Sequence, residues 1–91
     1  MTYEWDSDKA TANLVKHGVA FDNAKDFSWD LAVGWIDDRA DYGELRRIAV
    51  APLRGRLHVM VFTKRGERIR IISLRKANLR EMESHGQAFD R

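Results

Sequence analysis

The 91-residue chain is 44% apolar, holds no cysteine and carries a formal net charge of +2. One domain spanning residues 1–91 with one core is expected at this length; disulfide frameworks and thiol chemistry are excluded, and no apolar run approaches the roughly 20 residues that cross a bilayer. Three histidines lie far apart without metal-ligand spacing, so neither a metal nor another cofactor is expected.

Residues 2–5 read as a short extended segment. They lack the basic-then-apolar order of a secretory signal, so a cytoplasmic location away from membranes is expected. Asp6 is a good N-cap, because its carboxylate can accept the free amides of a first helical turn. A helix is predicted over Ser7–His17, with Ala10, Leu14 and His17 on one stripe and Gly18 closing it. Val19 and Phe21 lead into a second short helix over about residues 22–27, turning Phe21, Ala24 and Phe27 to the core. The two helices are predicted to form a hairpin. Strands follow at 31–36, 44–51, 56–63 and 68–74, the second broken by Pro52. The polar stretch 37–43, with its acidic Asp37-Asp38 and Asp41, reads as a solvated loop. The turns Leu53-Arg54-Gly55 and Lys64-Arg65-Gly66-Glu67 each hold the glycine a tight hairpin wants. A final helix runs from 76 or 78 to His85 and stops at Gly86, with the last residues expected to fray. The fold class is α+β: an N-terminal helical hairpin packed on an antiparallel meander sheet, with a C-terminal helix.

Charge is unevenly spread. Acidic residues are in excess up to Glu44, whereas from Arg46 onward basic residues dominate, the signature of a positive face. Alternation along the strands assigns the faces. Ile48, Val50, Leu57, Val59, Val61, Ile69 and Ile71 make an aliphatic face for the helices. Arg47, Arg56, His58, Met60, Phe62, Arg68 and Arg70 fall on the mixed faces, a poor core but a reasonable floor for a nucleic-acid groove. Trp5 reads as core, and packing is the better reading of Trp29 and Trp35 than stacking on bases.

Trp5-Asp6 with Lys9-Ala10, Asn13, Lys16-His17-Gly18-Val19 and Phe21 resembles the opening of BrnT toxins. So do Tyr42-Gly43-Glu44 with Arg46, then Gly55-Arg56, the run Arg68-Ile69-Arg70-Ile71-Ile72-Ser73, and Arg75-Lys76-Ala77 with Arg80-Glu81. The ordered set covers about residues 3 to 85. The resemblance implies a RelE-like fold, a ribonuclease that blocks translation, and neutralisation by a BrnA-type antitoxin with a ribbon-helix-helix part. Operator DNA would be reached only through the toxin–antitoxin complex. Two departures stand out: His85 occupies a position where the family typically has an aromatic residue, often Tyr, and Ala51-Pro52 replaces a usual glycine.

For an RNA substrate the 2′-hydroxyl is the nucleophile, so a metal-free enzyme needs in-line geometry, a base, positive charge for the phosphorane and an acid for the leaving oxygen. Arginine suits the charge role, since its planar guanidinium grips two phosphate oxygens and stays protonated. Arg70 and Arg75 are the expected phosphate clamps. His17, His58 and His85 are the candidates for proton transfer, although the helical stripe of His17 equally suits a structural histidine. Lys16, Arg46, Arg47, Arg68, Lys76 and Arg80 are expected to bind the RNA backbone. Glu44 reads first as an ion-pair partner of Arg46. The alternative to an enzyme is a non-catalytic RNA- or antitoxin-binding module, a degenerate toxin.

Overall fold

In the computed structural model, which describes residues 1–89, Asp6 does cap a helix. Its Oδ2 accepts from the Lys9 amide at 3.0 Å, and α1 (Ser7–His17) ends where Gly18 turns left-handed at φ 71°. Ahead of it β1 (Thr2–Glu4) is extended, as expected. Four further strands follow: β2 (Val33–Asp37), β3 (Arg46–Leu53), β4 (Arg56–Arg65) and β5 (Arg68–Lys76). The sheet order is β1-β5-β4-β3-β2; β1 runs parallel to β5 and all other pairs are antiparallel. A C-terminal helix, α2 (Leu79–Phe89), completes the α+β fold.

The predicted helical hairpin does not form. After α1 come two 3-10 turns, Phe21–Asp26 and Trp29–Leu31. The reason lies in the spacing. Phe21, Ala24 and Phe27 are all buried and three residues apart, which matches the threefold period of a 3-10 helix rather than the 3.6 of an α-helix. The stripe of α1 also differs from expectation. Leu14 is 50% exposed, and Asn13 is buried between Ala10 and His17. The helix lies along the edge of β5 beyond the end of β1, and Asn13 substitutes for a strand there. Its Nδ2 donates to the Leu74 carbonyl at 2.8 Å, its Oδ1 accepts from the Leu74 amide at 3.1 Å, and Nδ2 also reaches the Val19 carbonyl at 3.0 Å.

Strand ends move as well. β3 continues through Pro52, whose carbonyl accepts from Ser28, and the hairpin to β4 closes on Arg54 and Gly55 at φ 51° and 79°. Asn78 and Glu81 cap α2 reciprocally, each side chain accepting from the other's amide at 2.8 and 2.9 Å. The helix runs on through Gly86, which is not left-handed and so does not stop it. The fraying expected of the last residues falls partly on Asp90 and Arg91, outside the described residues.

In β3 and β4 the two faces are reversed from the expectation, whereas Ile69 and Ile71 of β5 do lie on the covered side. Met60 and Phe62 are core, packed with Ala49, Ala51, Ile69, Ile71 and Leu74 beneath Phe21 and Phe27. The alanines of β3 leave room on this side for the aromatic rings. Trp5 packs there too, and Trp29 packs edge-on to Phe27 and Phe62 while donating to the Tyr3 hydroxyl at 2.6 Å. Trp35, on edge strand β2, stays half exposed. The aliphatic face of Ile48, Val50, Val59 and Val61 meets Ala77 and Met82 at the α2 side. Among the described residues no helix is long and apolar enough to cross a membrane.

Candidate active site

Arg70 and Arg75 are five residues apart, so a regular strand would send them to opposite faces. A bulge in β5 changes that. Val61 pairs with Ser73 and Phe62 with Ile71, so Ile72 is left over and the alternation inverts. Ile71 and Leu74 consequently share the core face, while Arg70 opposite Thr63 and Arg75 opposite Val59 share the α2 side. Asn13 clamps the backbone of Leu74 two residues past the bulge, fixing the strand from which Ser73 and Arg75 project.

Beside the bulge lies an open cleft of about 270 Å³, lined by Asn13, Lys16 and His17 of α1, Arg46 of β3, and Ile72 and Ser73 of β5. Lys16 and His17 sit in the last turn of α1, where the helix dipole favours cations. Partial burial, then the charges of Lys16 and Arg75, push the His17 pKa below its usual value. The ring therefore favours its neutral, proton-accepting form. Arg46 stacks over the Tyr42 ring at 3.9 Å, with Glu44 3.8 Å from its Nε. That Nε is shut off from water and makes no hydrogen bond among the described residues. Glu44 also lies 3.5 Å from Arg65, consistent with an ion-pair role.

Both central arginines are held by carboxylates yet remain about a third exposed: 31% for Arg70 and 33% for Arg75. Glu4 of β1 accepts from Nη1 of Arg70 at 2.9 Å, and Arg68 lies 3.8 Å from the same carboxylate. Glu81 of α2 takes both terminal nitrogens of Arg75, at 2.8 and 2.7 Å. That pairing raises the Arg75 pKa and lowers that of Glu81.

The structure gathers Lys16, His17, Arg46, Arg68, Arg70 and Arg75 on one side and leaves the other candidates elsewhere. Arg47, His58 and Lys76 lie on the core face. His58 is 5% exposed and lies on the opposite face from Arg70 and Arg75, so it does not share their groove as the alternation predicted. His85 sits on α2 with Nε2 2.8 Å from the Leu31 carbonyl, and with Arg80 it lines a crevice against Trp35 and Val50.

Four contributors, Asn13, Asp37, Arg39 and Tyr42, have no site role in the sequence analysis. Asn13 was legible as the polar residue at helical spacing between Ala10 and His17. Asp37 is not part of a solvated loop: its side chain is fully buried and grips Arg39 at 2.7 Å twice, which with that arginine's charge holds its pKa at about 2. The charge of Arg39 in turn acts on Arg75, and Tyr42 backs Arg46. No local pattern marks that loop geometry.

No curated protein matches the chain. A family model described as ribonuclease toxin, BrnT, of type II toxin-antitoxin system matches residues 5–81. The match takes in the cleft, the bulge and both arginine–carboxylate pairs except Glu4. Covering most of the chain, it shows that the protein belongs to the BrnT family of ribonuclease toxins of type II toxin–antitoxin systems.

Proposed function

We propose that the chain cleaves RNA by attack of the substrate's own 2′-hydroxyl, without a metal ion, on the α2 side of the sheet. The observation that carries this reading is the bulge, which turns Arg70 and Arg75 to one face beside Arg46, Lys16 and His17. Four permanent cations stand where charge would otherwise need a metal. His17, biased to its neutral form, accepts the 2′-hydroxyl proton as that oxygen bonds to phosphorus. Arg70 and Arg75 neutralise the phosphorane. The bond to the 5′-oxygen then breaks, that oxygen takes a proton, and a 2′,3′-cyclic phosphate remains.

Glu4 engages a single terminal nitrogen of Arg70, so its other donors are left for phosphate. Glu81 orients Arg75, and a phosphate dianion-like transition state competes with it for the same fork. Lys16, Arg46 and Arg68 bind the substrate backbone. The same reading takes the RelE-like fold as the class, a BrnA-like ribbon-helix-helix antitoxin as partner, operator DNA as reached only through that complex, and the cytoplasm as location.

The carboxylates on Arg70 and Arg75 favour a second reading, a toxin that binds RNA or antitoxin without cutting. One experiment separates the two. In EDTA the purified protein should convert RNA to fragments ending in 2′,3′-cyclic phosphate, and Arg70→Ala should slow this by about a hundredfold or more. Salt-dependent RNA retention with no cleavage in EDTA or magnesium supports the binding module. Cleavage only with magnesium overturns the metal-free route.

A further inference from the structure

His58 and Lys76 face away from the cleft, and around them lies a second basic hollow of about 350 Å³. It is lined by Asn23, Arg54, Arg56, His58 and Lys76 with Val19 beneath, and none of its lining residues is acidic. His58 and Lys76 stand directly opposite each other across β4 and β5, with Arg56 two residues along the same face. The His58 Nδ1 lies 2.8 Å from the Arg56 carbonyl, which can only accept, so Nδ1 carries the hydrogen. Its Nε2 makes no hydrogen bond among the described residues. It can accept from a protonated phosphate oxygen or, once protonated, donate to a bare one. Arg56 spends one nitrogen on the Ala77 carbonyl at a long 3.3 Å, and Lys76 has no carboxylate partner among the described residues.

Arg54 supplies an independent observation. It is the one non-glycine residue described with positive φ, at 51°, and it fills the first position of a type I′ turn, where asparagine or glycine is at ease. Strain of this kind tends to persist at binding sites. Asp26 anchors Arg54 through Nε at 2.8 Å, leaving the terminal nitrogens at the rim of the hollow. A strained backbone thus brings the terminal nitrogens of an Asp26-paired guanidinium beside Arg56 and Lys76, which have no carboxylate partner among the described residues.

We infer that this hollow binds a phosphomonoester, free or at the end of an RNA strand, separately from the cleft. The guanidinium forks of Arg54 and Arg56 match phosphate oxygens, Lys76 adds a point charge, and a monoester brings more negative charge than a diester.

The test follows the His58 ring nitrogens by NMR in the full chain. The titrants are inorganic phosphate, a 5′-mononucleotide, and a 2′-O-methyl RNA with or without a 5′-phosphate. Saturable shifts of the His58 ring with a phosphomonoester are expected, weakened about tenfold or more by Lys76→Ala and by Arg54→Gly. Arg54→Gly should meanwhile raise the melting temperature, because glycine relieves the strained φ. Equal response to phosphate and nucleotide identifies a free ligand as the source. Response to the phosphorylated strand alone identifies an RNA end. Non-saturating drift, unchanged saturation in both variants, or equal binding of strands with and without the terminal phosphate would overturn the proposal.

Discussion

On the side of the sheet covered by the 3-10 turns, Met60, Ile71 and Leu74 are sealed beneath Phe21 and Phe27, and the centre of that face is closed to solvent. On the α2 side, Arg46, Arg70 and Arg75 share the face with the buried Ile48 and Val61, and each arginine has a carboxylate within reach. The same strands therefore serve stability on one face and charge on the other. Intramolecular carboxylates let a small fold carry several neighbouring cations with less mutual repulsion. They also set each guanidinium in one orientation, at little gain in stability for pairs this exposed.

The contrast can be broken first through packing. Met60→Ala should cost about 3 kcal/mol in urea unfolding, since it empties a fully buried site. Ile72→Ala, at the partly exposed bulge, should cost about 1 kcal/mol or less, and equal losses would show that the faces are not so divided. Asn13→Ala comes next. It strips the Leu74 amide and carbonyl of partners and should cost about 2 kcal/mol, while slowing RNA cleavage through the loosened strand. A variant that loses stability but keeps full cleavage rate would remove Asn13 from the positioning of Arg75.

The smallest effects are in pH. Asp37 has a folded pKa near 2, below its unfolded value, so its contribution is present above about pH 4 and lost as pH falls toward 2. Asp37→Asn should flatten that part of a melting-temperature profile. For His17 the folded pKa is also depressed, so folding opposes protonation and stability drops below about pH 6.5. The acid limb of kcat/KM should likewise fall below pH 6.5 and disappear in His17→Gln. A limb above pH 6.5 would point to another base.

Much of the architecture was legible. The Asp6 cap, Gly18 stop, glycine turns and alternating strands each rest on local stereochemistry, and all appear. The face assignment failed for β3 and β4, though not for Ile69 and Ile71, because alternation within a strand says which residues share a side and not which side is covered. Ala49 and Ala51 were the missed clue, since small residues mark where large rings pack. The bulge at Ile72 has no composition signal, so Arg70 and Arg75 were chosen for chemistry before any geometry united them. His58 failed by the same inversion of faces. Asp37 reads as a loop residue until Arg39 and its strand-end position bury it.

The central claim is that one bulge aims two arginines at a single phosphate. A double-mutant cycle on single-turnover RNA cleavage, using Arg70→Ala, Arg75→Ala and the pair, tests it most directly. The account predicts strong non-additivity, with the double variant hardly slower than the worse single one. Losses that simply multiply, or single variants that cut at the native rate, would contradict it.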